Sequence, residues 1–160
     1  MEDFVKPAGD PQIGNLATPI NSSGFTKALI NNLPAYRAGL SPQRRGLEVG
    51  MAHGYLLFGP FALTSQFRNT PLSSEVGLTE AVILVVILTL CLSVYSSVGV
   101  SKPISTITTP NPPEALSTSE GWSEFASSFL VGGIGGAAFA YLIFKIVESG
   151  IFETFGNLLG

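Results

Sequence analysis

One stretch of this sequence limits its fold more than any other. From Ala81 to Ser101 the chain runs for 21 residues without a charge, and most of these residues are aliphatic. A helix of about 20 apolar residues, rising about 1.5 Å per residue, spans the roughly 30 Å hydrocarbon core of a bilayer. The stretch therefore predicts a transmembrane helix in an integral membrane protein.

Two further segments predict crossings. The residues from Phe125 to Phe144 are also uncharged, and Trp122 and Tyr141 suit its two membrane–water interfaces. The segment 44–63 is less apolar, but it follows a serine and a proline that suit the start of a helix. We expect both segments to be transmembrane helices.

Together these patterns predict an all-α integral membrane fold with three transmembrane helices. The predicted membrane domain covers residues 44–160, and residues 1–43 form an irregular N-terminal arm with a short surface helix in the stretch FTKALINNL. The helices are expected at about residues 44–63, 78–100 and 123–147, with a Pro-rich loop at 101–122.

Composition and charge exclude several classes of protein. Charged residues make up only 12% of the chain, and the net charge of -3 does not suit a nucleic-acid-binding protein. Cys91 is the only cysteine, so disulfides and cysteine-based metal sites are excluded. The sequence has neither a Ser/His/Asp arrangement nor a phosphate-binding loop, so we expect no enzyme activity.

The basic residues predict an orientation. The N-terminal side of the predicted membrane domain carries most of the positive charge, and only Arg68 and Lys145 fall on the other side. Because positive residues are enriched in cytoplasmic segments, we expect a cytoplasmic N-terminus and a lumenal C-terminus.

The first predicted crossing contains Glu48 and His53, and ionisable groups at membrane depth need a partner or a function. A neutral imidazole suits a metal that already has other ligands, such as the Mg²⁺ of a chlorophyll or the iron of a haem. Because Glu48 and His53 are five residues apart, their side chains point about 140° away from each other on a helix. This angle favours two separate ligands. We also expect Gly50 and Gly54 to leave space for a flat macrocycle.

Two structural interpretations compete with these ligand roles. His53 suits a hydrogen-bonded histidine between packed helices, and Glu48 suits an ion pair with Arg45, three residues earlier. A functional alternative is a small membrane transporter or proton-relay component that uses Glu48 and His53. In the last crossing, a four-residue period of small side chains predicts close packing against another helix, in this subunit or a neighbour: Ser128, Gly132, Gly136 and Ala140.

Several long motifs resemble one known family. They are RGLEVGMAHGYLLFGPF, GDPQIGNLATPI, NLPAYRAGLSP, TTPNPPEALSTSEGW and FLVGGIGGAAFAYL. In these motifs, and collinearly from about Gly9 to Tyr141, the chain resembles the photosystem I reaction-centre subunit XI (PsaL) family, cyanobacterial type.

The resemblance implies a non-catalytic, three-helix photosystem I subunit. It implies binding of chlorophyll a and β-carotene for light harvesting, with His53 and Glu48 as ligands of chlorophyll magnesium. The implied partners are the other photosystem I subunits, including the large core subunits, lipids, and copies of the chain itself at the centre of an oligomer. The N-terminal residues do not resemble a transit peptide, which favours a cyanobacterial thylakoid membrane.

One position departs from the family pattern. The resemblance implies a Ca²⁺ site near the oligomer axis, where an Asp follows an Arg in the turn after the first crossing. Here Asn69 follows Arg68. An amide is a weaker ligand than a carboxylate for a hard cation, so the Ca²⁺ site is expected to be weakened or lost.

Overall fold

The computed structural model describes residues 4–150 as a mostly helical chain, as predicted. Its four α-helices are α1 (Gly24–Asn32), α2 (Pro42–Thr64), α3 (Ser73–Ser97) and α4 (Ser119–Glu148). Two short antiparallel strands, β1 (Lys6–Pro7) and β2 (Leu16–Ala17), pair in the N-terminal arm, and 3-10 turns cover Pro11–Ile13 and Glu114–Ser117. Residues 1–3 and 151–160, the two ends of the predicted domains, lie outside the described residues.

Side-chain caps explain where three of the helices begin. The Ser23 hydroxyl accepts a hydrogen bond of 3.1 Å from the amide of Thr26 at the start of α1. The Ser41 hydroxyl accepts one of 3.3 Å from Arg44, and Pro42 is the first residue of α2. Thr118 caps α4 in the same way, which is why this helix begins before the predicted residue 123.

The helices α2, α3 and α4 form one bundle. Gly46 lies against Phe125 and Gly54 lies against Gly133, so α2 and α4 run parallel. Val85 contacts Gly133 while the earlier α3 residues lie beside the end of α4, so α3 runs antiparallel to both. The largest packing surface in the bundle joins α2 and α4, which are not neighbours in sequence.

Two of the three bundle helices are long and apolar enough to cross a membrane. They are α3, with 25 residues, and α4, with 30 residues. The 23 residues of α2 include two arginines, a glutamate and a histidine, and among residues 4–150 only α3 and α4 meet the criterion. The crossing by α2 therefore stays a prediction.

The N-terminal arm packs over the end of the bundle where α2 and α4 begin. The Asn31 side-chain amide donates to the carbonyl of Thr108 at 2.7 Å, and the Thr108 hydroxyl donates to the carbonyl of Asn21 at 2.9 Å. These two bonds join the arm to the Pro-rich loop between α3 and α4. The predicted surface helix is α1, and its Phe25 side chain is exposed.

Candidate functional site

The helices α2 and α4 meet along a line of glycines, with no side chain between the two backbones. We call this contact the seam between α2 and α4. On α2, a Cβ added at Gly46, Gly50 or Gly54 would collide with a carbonyl oxygen of α4. On α4, a Cβ added at Gly132 or Gly136 would collide with a carbonyl oxygen of α2. The glycines therefore bring the two backbones into direct contact, as small residues do in tightly packed membrane helices.

This seam accounts for most of the predicted small-residue period. Gly132, Gly136 and Ala140 are buried, and the two glycines face Leu47 and Met51 of α2 within the same subunit. Ser128 is half-buried at the first turns of the seam. The expectation that Gly50 and Gly54 face a macrocycle is wrong, because the backbone of α4 occupies the space beside both.

The His53 imidazole lies beside this seam and has a defined tautomer. Its Nδ1 is 2.8 Å from the carbonyl oxygen of Val49, one turn earlier on α2. A carbonyl oxygen has no proton to donate, so Nδ1–H must be the donor. In the neutral ring the Nε2 lone pair is then free to bind a metal. This arrangement differs from the predicted histidine bonded between packed helices, because His53 bonds its own helix and is exposed.

An open groove of about 370 Å³ surrounds the imidazole. Its walls are mostly apolar and aromatic, and Phe129 meets the imidazole edge-to-face with the ring centres 5.4 Å apart. All three bundle helices contribute: Val49 and His53 from α2, Leu88, Cys91 and Leu92 from α3, and Trp122, Phe125 and Phe129 from α4. The groove combines one imidazole with apolar and aromatic walls.

Glu48 lies in a different environment. Its carboxylate forms an ion pair with Arg37 of the N-terminal arm, and both side chains are about one-third exposed. The predicted pair between Glu48 and Arg45 is wrong. The Arg45 guanidinium is buried and donates to the carbonyls of Pro34 and Ala35 at 3.0 and 3.1 Å, so it binds the arm instead.

The structure does not bring Glu48 and His53 together. A proton relay needs its groups within hydrogen-bonding reach. Here the carboxylate faces a cation of the arm, and the imidazole faces the groove beside Phe129. This separation agrees with the 140° spacing and does not favour the relay alternative.

Two features of the site were not predicted. The sequence placed Trp122 at a membrane interface, whereas the indole also lines the His53 groove and donates to the Leu116 carbonyl at 2.7 Å. The second feature is the packing of α4 against the α2 glycines, which the sequence predicts to leave space for a ligand. The signal in the sequence is that Gly46, Gly50 and Gly54 recur every four positions and the apolar Phe58 and Ala62 continue the same period, which is typical of a face that packs against a helix. All five residues are buried.

The turn after α2 contains the position that departs from the family pattern. Asn69 is exposed there, and the neighbouring Arg68 donates to the carbonyl of Ser65 at 3.3 Å. Within residues 4–150, no group of three or more His, Cys, Asp or Glu side chains is placed to hold a metal ion. The Ca²⁺ site implied by the resemblance stays an untested expectation.

These observations define a class of protein: a small helical bundle with two helices able to cross a membrane and an exposed histidine whose Nε2 is available to a metal. The family model described as photosystem I reaction centre subunit XI (PsaL) matches residues 4–149. The chain therefore belongs to the photosystem I reaction centre subunit XI family.

Curated relatives agree with this assignment. A photosystem I reaction center subunit XI from Picosynechococcus sp. is 65% identical over 139 residues, which cover 87% of this chain and 91% of the relative. The protein of the same name from Crocosphaera subtropica is 56% identical over 158 residues, 99% of each chain. That from Synechococcus elongatus is 58% identical over 144 residues, 89% of this chain and 87% of the relative.

Proposed function

We propose that this chain is a non-catalytic photosystem I subunit of the thylakoid membrane that binds chlorophyll a and carotenoid for light harvesting and takes part in oligomerisation. Family membership supports the photosystem I role and association with other photosystem I subunits. The single observation that carries pigment binding is the His53 tautomer, which leaves Nε2 free beside an aromatic groove.

The position of α2 supports a third membrane crossing. It runs parallel to α4 from the pair Gly46 and Phe125 to the pair Phe58 and Phe144. At about 1.5 Å per residue, its 23 residues extend about 34 Å, slightly more than the hydrocarbon thickness of about 30 Å. If α4 crosses the bilayer, a helix that contacts it from Gly46 to Phe58 lies at the same depth. The polar residues of α2 are concentrated in its first turns, near the surface.

Chlorophyll binding at His53 follows from ligand chemistry. When bound, the pigment supplies light absorption and energy transfer, and the chain's residues fix its position. The imidazole would hold the pigment through its Nε2 nitrogen, and its bond to the Val49 carbonyl fixes the orientation of the imidazole, as outer hydrogen bonds do at metal sites. Phe129 and Trp122 provide flat apolar surface for the ring. A free imidazole nitrogen beside apolar and aromatic side chains is the donor set that a chlorophyll requires.

Glu48 is a weaker candidate ligand. Its ion pair with Arg37 satisfies the carboxylate and partly neutralises it. A paired carboxylate still has oxygen lone pairs to offer to magnesium, and we retain it as the second proposed ligand.

A carotenoid requires a long apolar surface rather than a ligand. A groove of about 370 Å³ between the later turns of α2 and α4 provides one, lined by Tyr55, Leu56, Gly59, Ile143, Phe144 and Val147 among others. We propose it as the β-carotene surface. The exposed aliphatic side chains of α3, including Ile83, Ile87 and Leu90, are proposed to face lipid, the large core subunits or a second copy of the chain.

The test of the pigment site is His53→Leu in the intact photosystem I complex. Leucine keeps the apolar volume but removes the nitrogen ligand, so the complex should lose one chlorophyll while retaining this subunit. Pigment extraction measures chlorophyll per complex, and protein mass spectrometry measures subunit content.

The matched control is Leu63→Ala, an exposed position on α2 outside the groove. It should leave the chlorophyll count unchanged. An unchanged count in the His53→Leu complex, with the subunit present, contradicts the ligand assignment. A photosystem I complex that lacks the His53→Leu chain but retains the Leu63→Ala chain would instead indicate that His53 is needed for assembly.

A further inference from the structure

A second groove opens where α2 and α4 begin, away from the His53 groove. We call it the entry groove; its volume is about 310 Å³, and its lining residues are Gln43, Arg44, Leu47, Ser127, Ser128 and Val131. Its upper part, at the start of α2, is cationic and polar and includes Arg44 and Ser128. Its lower part, further along both helices, is aliphatic and includes Leu47 and Val131. This division matches the change from headgroup to hydrocarbon at a membrane surface.

Arg44 provides the positive charge of the entry groove. Its backbone amide is capped by Ser41, but within residues 4–150 its guanidinium forms no ion pair or hydrogen bond. The two neighbouring arginines differ, because Arg37 pairs with Glu48 and Arg45 binds the arm carbonyls. Glu124 lies one turn before Ser128 on α4 and does not pair with Arg44. The guanidinium is therefore exposed and not neutralised.

An apolar track continues from the entry groove along the outer side of the seam. Leu47, Met51 and Val131 are all exposed, and a Cβ added at Gly135 would meet open space. The track reaches the tilted ring pair of Tyr55 and Phe139, whose centres are 6.3 Å apart. From Arg44 to Tyr55 the helix rises about 16 Å, close to half of the roughly 30 Å hydrocarbon core, the depth of one leaflet.

We propose that the entry groove binds an anionic lipid, whose phosphate or sulfonate group lies on Arg44 and whose acyl chain lies along the track to Tyr55. A guanidinium binds tetrahedral oxyanions with parallel hydrogen bonds, and the Ser128 hydroxyl, which has no partner within residues 4–150, offers a further donor. Basic grooves between membrane helices bind lipid headgroups in this way. The inference rests on the proposed membrane position of α2 and is independent of the pigment assignment to His53.

The experiment compares intact photosystem I complexes with Arg44→Gln and with Arg68→Gln in this chain. Arg68 is an exposed arginine at the other end of α2, so it controls for the loss of one positive charge. Lipid extraction and mass spectrometry measure the anionic lipids retained per complex after identical detergent washing. We expect one anionic lipid fewer per subunit with Arg44→Gln and no change with Arg68→Gln.

A second variant tests the track with the charge intact. Val131→Trp fills the lower entry groove with a side chain at an exposed position, and it should also release one lipid. Wild-type complex that retains the lipid should not lose it to inorganic phosphate, since the acyl chain contributes to binding. Wild-type complex stripped of the lipid by harsher detergent washing should regain it from phosphatidylglycerol vesicles.

Three results would overturn the proposal. The first is equal lipid retention in the Arg44→Gln and Arg68→Gln complexes. The second is displacement by inorganic phosphate, which indicates an anion site without an acyl chain. The third is loss of a neighbouring polypeptide with unchanged lipid, which indicates that Arg44 binds a protein carboxylate. Chlorophyll content, measured in the same samples, should not change, so failure here is separable from failure of the pigment site.

Discussion

The two seams of α4 are built in opposite ways. Along α2, both helices place glycines at the contact, and the backbones meet directly at Gly50 and Gly54. Along α3, side chains fill the space: the fully buried Val85 fits against Gly133, and an ion pair joins Glu75 to Lys145 at 3.1 Å. The first seam depends on the absence of side chains, and the second depends on their volume.

The difference explains which helix can carry polar and ionisable side chains. In lipid, helix association depends on packing contacts rather than on apolar burial. A backbone seam needs only one narrow face of α2, so its remaining faces can carry His53, Glu48 and Arg44. From Ala81 to its end, α3 carries no charged residue, and it contributes buried side-chain volume such as that of Val85 to the bundle.

The largest expected effect is at the backbone seam. Gly54→Ala places a methyl group against the carbonyl oxygen of Gly133, so α2 and α4 must move apart. We expect destabilisation of about 1–3 kcal/mol or more, the usual cost of overpacking. Thermal unfolding of the full chain in detergent micelles, followed by circular dichroism, measures the effect.

Gly59→Ala is the matched control, because it makes the same change on the same helix. A Cβ at Gly59 meets nothing within 4 Å, and alanine is a better helix former than glycine by about 0.5–1 kcal/mol. This variant should be as stable as the wild type or more stable. Equal losses in the two variants would show that backbone contact does not set the stability of this seam.

A smaller effect is expected at the side-chain seam. Val85→Ala removes two methyl groups from a fully buried position and should cost on the order of 1 kcal/mol. The adjacent Val86 is exposed, so Val86→Ala should have little effect in the same unfolding experiment. A loss at position 85 that exceeds the loss for Gly54→Ala would reverse the ranking of the two seams.

The smallest effect is expected for Glu75→Gln, which removes the ion pair between α3 and α4. Both side chains are partly exposed, and exposed pairs contribute little. We expect faster amide hydrogen exchange in the first turn of α3, with little change in the unfolding midpoint. The control is Glu148→Gln, which removes the ion pair that Lys145 forms within α4. It should leave amide hydrogen exchange in α3 unchanged.

The sequence predicted the helices better than their contacts. The length of the uncharged segments identified α3 and α4. Ser41 and Pro42 indicated where α2 begins, and its first residue, Pro42, lies two residues before the predicted start at residue 44. Helix periodicity also separated Glu48 from His53 correctly. These features are local, because capping, length and angular spacing depend on neighbouring residues.

The partners of the polar groups were not predictable in the same way. Arg45 of α2 and Arg37 of the arm both lie near Glu48 in sequence. Only the path of the arm decides that Arg37 meets Glu48 while Arg45 meets Pro34 and Ala35. The glycines of α2 had the same ambiguity. Open space beside a glycine suits a ligand or a helix equally, and α4 occupies it here.

The pairing of α2 with α4 has a consequence for synthesis of the chain. Gly54 and its neighbour Gly133 are 79 residues apart. At about 5–20 residues per second, a ribosome needs roughly 4–16 seconds to complete the interval. During that time the glycine face of the nascent α2 has no α4 to pack against. A chaperone or another newly made helix has those seconds in which to occupy it before the subunit closes on itself.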